Sequence, residues 1–283
     1  MKILVLGHKG MLGSDLTAKL GISHEVVGKD IDDFDISSAA DCRDVVAEAG
    51  PEAVVNAAAY TDVDGCETEE DLCFRVNAEG VRNVAAACRK KNSRLVHFST
   101  DYVFDGTKGE PYVEEDPANP ISAYGRSKLQ GEIYLRESAA DFLLVRTAWL
   151  YGKKGRNFVK AIVARAREKE KLEVVNDQFG SPTYTVDLAG AVKILLEGKF
   201  SGIYHITNRG SCSWYEFAQK ILEISDLREV EIKPISTEEL ARRALRPRYS
   251  VMSCGKFHAA SRKTLRFWQI ALNDYISSDE QLK

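Results

Sequence analysis

Tyr124 and Lys128 stand four residues apart in the run Tyr124-Gly125-Arg126-Ser127-Lys128, inside a segment patterned as a helix. At that spacing the phenol and the ammonium share one helix face. A phenol titrating at about 10 is a poor proton carrier near neutrality, and a neighbouring cation favours its ionised form. The pair therefore reads as an acid–base couple, provided that other groups converge on it; alone, such spacing is more often a solvated helix pair. Hydroxyls are available in Ser99-Thr100-Asp101-Tyr102-Val103-Phe104-Asp105-Gly106, directly after the apolar run Leu95–Phe98. A hydroxyl at the carboxyl end of a central strand can hydrogen-bond a carbonyl and polarise it.

A second constellation sits at the amino terminus. Gly7-His8-Lys9-Gly10-Met11-Leu12-Gly13 follows the strand-like Ile3–Leu6 and opens a helical pattern. In that context glycines let the backbone turn tightly and approach a pyrophosphate, which helix amides then face. The spacing is G-x-x-G-x-x-G rather than G-x-G-x-x-G. Asp30, near the end of the next strand-like run, falls about 20 residues beyond the turn, where a carboxylate binds adenine-ribose hydroxyls and favours NADH. Lys9 and Lys29 are equally placed to neutralise a 2′-phosphate and favour NADPH. Both coenzymes stay open. Asp35 and Ile36 read either as a cover for the adenine or as a capping acid before Ser37. Ala57, Ala58 and Ala59, after the run Ala53–Val55, leave room for the ribose-nicotinamide half, and Asn77 is placed to orient that loop.

These pieces need a scaffold that brings strand ends together. Short β-branched runs at Ile3–Leu6, Glu25–Val27, Ala53–Val55, Leu95–Phe98 and Phe142–Val145 alternate with helical patterns at Met11–Leu20, Ala39–Ala49, Leu72–Lys91 and Ala123–Glu137. That alternation predicts an α/β fold with a doubly wound, Rossmann-like parallel sheet. Residues 1–150 are expected to form the dinucleotide-binding domain. Residues 151–283 are expected to be mainly a smaller C-terminal substrate-binding lobe, with later strands such as Ile203–Ile206 returning to the main sheet. The charged stretch Glu231–Arg248 carries Pro234 and Pro247 and cannot be one long helix.

The remaining composition excludes several classes. Lys and Arg number 39 against 42 Asp and Glu, a net charge of -3, and no basic block gives a footprint for nucleic acid. The apolar start stops at Gly7, too short for a signal core or a membrane span, so a cytoplasmic location is expected. Six cysteines without a C-x-x-C pair and five dispersed histidines predict neither a zinc site nor a disulfide framework. The cysteines read as small hydrophobes in or near the core.

Jointly, Gly7–Gly13, Ser99–Gly106, Tyr124–Lys128, Arg146-Thr147-Ala148-Trp149-Leu150-Tyr151-Gly152 and Phe179-Gly180-Ser181-Pro182-Thr183 resemble the extended short-chain dehydrogenases, and among them the dTDP-4-dehydrorhamnose reductases. Arg246-Pro247 and Ser250 extend the resemblance almost to the end. It implies a catalytic set of Thr100, Tyr124 and Lys128 that reduces the C4 ketone of dTDP-4-dehydro-L-rhamnose with NADPH or NADH. Tyr124 would protonate the developing alkoxide, Lys128 would hold the nicotinamide ribose and tune Tyr124, and Thr100 would hydrogen-bond the ketone oxygen. By the same resemblance Asp101, Tyr102 and Trp149 line the sugar pocket, while Asn157 and Arg246 serve the nucleotide end. Some members are dimers bridged by magnesium through glutamates; the first such position here is Asp15 and the later one, following Pro182-Thr183, falls at or near Val186, so no metal is expected. Monomer and homodimer both remain open. The competing expectations are a reductase or epimerase acting on another nucleotide sugar, and a cofactor-binding regulatory subunit of the kind that serves methionine adenosyltransferase.

Overall fold

The computed structural model describes residues 1–138, 140–168, 171–280 and 282. Six parallel strands form its main sheet: β1 (Lys2–Leu6), β2 (Glu25–Lys29), β3 (Ala53–Asn56), β4 (Arg94–Thr100), β5 (Phe142–Thr147) and β6 (Gly202–His205). Their order is β2-β1-β3-β4-β5-β6. The strand order reverses between β1 and β3, and a crevice opens outside the carboxyl ends at such a reversal. The glycine turn, the Ala57–Ala59 run and the Ser99–Thr100 hydroxyls all follow strands beside it.

Both faces of the sheet are covered, which is why its strands read as continuous apolar runs. Ile3 and Val5 pack in one core with Leu12 and Leu16 of α1 (Met11–Leu20) and Val192 and Leu195 of α7 (Thr185–Glu197). Leu4 and Leu6 face the other core, with Val45 of α2 (Ala39–Ala49), Val84 of α4 (Gly80–Lys91) and Leu135 of α5 (Ala123–Glu137). The expected helix Leu72–Lys91 is not uniform. A short α3 (Glu70–Phe74) passes through a π-turn, Arg75–Glu79, into α4.

A separate apolar core gathers Val159 and Ile162 of α6 (Phe158–Arg167), Phe217 and Ile221 of α8 (Trp214–Ile224), and Leu272 and Tyr275 of the helix Trp268–Ser278. Beside it the strands Leu172–Val175 and Ile232–Ile235 pair in parallel. The stretch with Pro234 and Pro247 holds that second strand and a single helical turn, Thr237–Leu240, started by a capping box of Ser236 and Glu239. No described helix is long and apolar enough to cross a membrane.

Candidate active site

The glycine turn is shaped by what a side chain would strike. Gly7 has φ +76°, and a Cβ there would lie 2.8 Å from the Ala58 nitrogen. A Cβ on Gly13 would fall 1.9 Å from the Gly7 carbonyl oxygen. The turn is thus pressed against the start of α1 and the alanine run together. Asp30 braces it, accepting the Lys9 N–H at 2.8 Å through Oδ2 and the Ile31 N–H at 2.9 Å through Oδ1. The two lysines weighed for a 2′-phosphate face carboxylates: Lys9 Nζ is 2.7 Å from Asp32 and Lys29 Nζ 3.9 Å from Glu48. The cap of α2 is Ser38, and Asp35 holds a turn ahead of it. Its Oδ1 takes the Ser37 N–H and hydroxyl, each at 2.8 Å, while Asp35 and Ile36 line a hollow of about 280 Å³ with Gly7 and Asp30.

That hollow shares Gly10 and Ala57–Ala59 with a cleft of about 490 Å³, whose walls include Met11, Leu12, Thr100, Tyr124, Lys128 and Trp149. The π-turn fixes the loop between them. Asn77 Oδ1 accepts the Tyr60 N–H at 2.9 Å, and its Nδ2 donates to the Tyr60 carbonyl at 2.9 Å and to Ser127 Oγ at 3.1 Å. Ser127 in turn donates to the Tyr124 carbonyl at 2.8 Å. An extra residue in a helix, common near functional sites, here lets one amide tie the alanine loop to the helix of Tyr124.

Within the cleft, Ser122 caps α5 by accepting the Gly125 N–H at 3.2 Å, so Tyr124 and Lys128 lie in its first turns. Lys128 is buried and donates to the Phe98 carbonyl at 2.7 Å; burial pulls its ammonium down to about 8, with the Glu132 charge opposing. The expectation that Lys128 lowers the phenol is corrected. Burial pushes the Tyr124 hydroxyl well above its usual value, the Asp101 charge adds to that, and the Thr100 hydrogen bond only partly offsets it. The ammonium is turned toward a backbone carbonyl, and desolvation of the phenol dominates. Tyr124 is therefore a neutral phenol at physiological pH, the form that can donate a proton.

Thr100, at the end of β4, accepts the Tyr102 N–H at 3.2 Å and donates to Asp101 Oδ1 at 3.1 Å. Burial pushes the Asp101 carboxyl up to about 6, against hydrogen bonds from Ser250 and Thr100. The Tyr102 ring meets the Tyr124 ring edge-on, with centroids 5.7 Å apart. Trp149 adopts φ +49°, a strained setting for a bulky residue, and stacks on Trp214 at 3.6 Å. Ser99 Oγ and Thr147 Oγ1 are buried on residues that line the cleft and have no partner within the protein.

A family model described as the RmlD substrate binding domain matches residues 1–281. The chain belongs to that family. It is 42% identical over 276 residues to the spore coat polysaccharide biosynthesis protein SpsK of Bacillus subtilis, covering 97% of this chain and 96% of the relative. A Streptomyces niveus relative named dTDP-4-keto-6-deoxy-D-glucose reductase is 40% identical, covering 95% of this chain and 94% of its own. Among solved structures, a dTDP-4-dehydrorhamnose reductase of Bacillus anthracis in complex with NADP superposes with a TM-score of 0.95 at 38% identity, covering 98% of this chain and 99% of that one.

Two expected residues of this RmlD-family chain are placed elsewhere than the cleft wall. Asn157 caps α6: Oδ1 accepts the Lys160 N–H at 3.0 Å, and Nδ2 donates to the Gly152 carbonyl at 2.8 Å and the Tyr275 hydroxyl at 3.2 Å. Its amide is spent inside the lobe. Arg246 stands behind Tyr102, held by Asp64 through bonds of 2.9 and 3.2 Å. The sequence reading gave Asp64 and Trp214 no place in the site, and it used Ser250 for the resemblance without giving it a role. Only Trp214 carried a local signal, being the first residue after the capping serine of a Ser213–Glu216 capping box. Asp15 meets Thr185 Oγ1 at 2.5 Å, and Asp187 meets Arg266 at 2.8 Å. Among the described residues no group of three or more His, Cys, Asp or Glu is arranged to hold a metal. All six cysteines are free, five of them buried.

Proposed function

We propose that this RmlD-family chain is an NADPH- or NADH-dependent reductase that converts dTDP-4-dehydro-L-rhamnose to dTDP-L-rhamnose. The observation that carries the reading is the meeting of Thr100, Tyr124 and Lys128 in one cleft, reached from a glycine turn in which a Cβ on Gly13 would collide with the Gly7 carbonyl. The cofactor fits the chain on its own terms. Helix α1 starts at the turn with no side-chain cap, so its first amides suit a pyrophosphate, the Ala57–Ala59 wall leaves width, and Ser99 and Thr147 carry hydroxyls unpaired within the protein beside it.

When bound, the nicotinamide supplies a hydride. Thr100 and Tyr124 would hold the ketone oxygen, and Tyr124 would give its proton to that oxygen as negative charge develops there. Lys128 would bind the ribose next to the nicotinamide. Asp101, Tyr102 and Trp149 would shape the sugar pocket, with Trp214 extending the aromatic wall. Residues 1–150 would thus serve the cofactor, and 151–283 mainly the sugar nucleotide. The resemblance of the whole chain to reductases supports turnover over a binding-only role. The Streptomyces niveus relative favours one further reading, reduction of a different dTDP-4-keto-6-deoxy sugar. Purified protein mixed with each dTDP-4-keto sugar and NADPH or NADH tests both: loss of reduced-cofactor absorbance with one sugar product identifies the substrate, and no oxidation with any of them refutes the reading.

A further inference from the structure

Ser250 reaches the catalytic strand from the distant part of the chain. Its N–H donates to the Phe179 carbonyl at 2.8 Å, while the Phe179 N–H donates to the Arg248 carbonyl at 2.7 Å, so the segment is anchored on the lobe side of the cleft. The side chain, 2% exposed, donates from Oγ to Asp101 Oδ2 at 2.5 Å, with the Phe179 carbonyl a longer 3.5 Å from the same oxygen. Asp101 is equally buried, and its other oxygen takes the Thr100 hydroxyl at 3.1 Å. A line of hydrogen bonds thus runs from Ser250 through Asp101 to the hydroxyl that would hold the ketone.

That line sets a direction. An ionised Asp101 keeps the Thr100 hydrogen for itself, whereas a protonated one can donate to Thr100 Oγ and release that hydrogen toward a carbonyl. We propose that Ser250 is a positioning residue for ketone reduction, acting through Asp101 to set where the Thr100 hydroxyl points. The proposal rests on the reductase reading and adds a residue to it.

Burial favours the protonated acid, and the Ser250 donor opposes burial by stabilising the carboxylate. The other groups around Asp101 are few. Tyr102 follows it in the turn, Tyr124 faces it from α5, and Arg246 is paired with Asp64 behind Tyr102. Lys128 directs its ammonium to the Phe98 carbonyl. Ser250 is therefore the donor from the lobe side whose removal changes the Asp101 titration most directly.

The test is kcat for reduced-cofactor oxidation by the full chain across mildly acid to mildly alkaline pH. Wild type should show a titration near about 6, the value to which burial raises Asp101. Ser250→Ala should move that titration up by about one pH unit, because a carboxylate has lost a donor, with NADPH affinity unchanged and Tm lowered by only about 2 °C. Ser250→Thr should restore the wild-type profile, and Asp101→Asn should abolish the titration. A Ser250→Ala profile superimposable on wild type overturns the proposal. So does a loss of activity matched by a larger loss of Tm and by loss of cofactor binding, which a purely structural serine would give. Wild type inert toward every dTDP-4-keto sugar overturns the reductase reading and the proposal with it; active wild type with an unmoved variant profile overturns the role of Ser250 alone.

Discussion

Glu132→Gln tests how the scaffold holds the site. Glu132 lies one helical turn after Lys128 on α5, and its carboxylate bonds Arg146 of β5 twice, Oε1 to Nε at 2.9 Å and Oε2 to Nη2 at 2.7 Å. The side chains are 0% and 3% exposed, so neither charge can turn to water. Removing one partner of such a buried pair costs about 3–5 kcal/mol, because the other is left uncompensated. Unfolding entropy of about 2.1 cal/mol/K per residue gives about 0.6 kcal/mol/K for a chain of this length, so Tm should fall by roughly 5–8 °C. A second effect reaches the site. The Glu132 charge holds the Lys128 ammonium up against burial, so its loss should lower Lys128 further below about 8. Lys128 is charged below that pH and neutral above it, so the alkaline decline of kcat should move to lower pH. Calorimetry and a pH–rate profile on the same preparation read both. A variant with unchanged Tm and an unmoved alkaline limb would refute the reasoning.

Three further outcomes are expected. Tyr124→Phe should cut kcat by about 10²–10⁴-fold, the usual worth of a positioned acid, with NADPH affinity preserved by fluorescence titration; normal turnover would remove Tyr124 from the chemistry. Gly13→Ala places a methyl 1.9 Å from the Gly7 carbonyl oxygen and must push the turn apart, so it should weaken NADPH binding by at least about tenfold, read by the same titration. Trp214→Ala removes the ring stacked on Trp149 at 3.6 Å, and should raise KM for the sugar nucleotide while leaving cofactor affinity near wild type.

The parts of the site that were legible in the sequence are those encoded within a few residues at a strand end. Gly7–Gly13, Ala57–Ala59 and Ser99–Thr100 each follow an apolar run, and parallel topology alone gathers such ends on one edge. Tyr124 and Lys128 were legible because a helix repeats its face every four residues. The π-turn was not, since the apolar period of Leu72–Lys91 reads straight through it and only the use of Asn77 on Tyr60 and Ser127 reveals the inserted residue. Asp64 with Arg246 and Asp101 with Ser250 were equally hidden, being joined only when the two parts of the chain fold together. Asn157 has a local use that the resemblance did not show. An asparagine before an apolar helix is first a cap, and that local use consumed the amide assigned to a ligand. The Tyr124 phenol teaches a similar lesson, because spacing to a lysine was visible and the desolvation that outweighs it was not.

The most direct test of the central claim is to supply dTDP-4-dehydro-L-rhamnose and NADPH to the purified chain and identify the sugar formed. The account predicts stoichiometric loss of NADPH with appearance of dTDP-L-rhamnose, abolished in Tyr124→Phe; no oxidation of NADPH or NADH by a chain that binds them would contradict it.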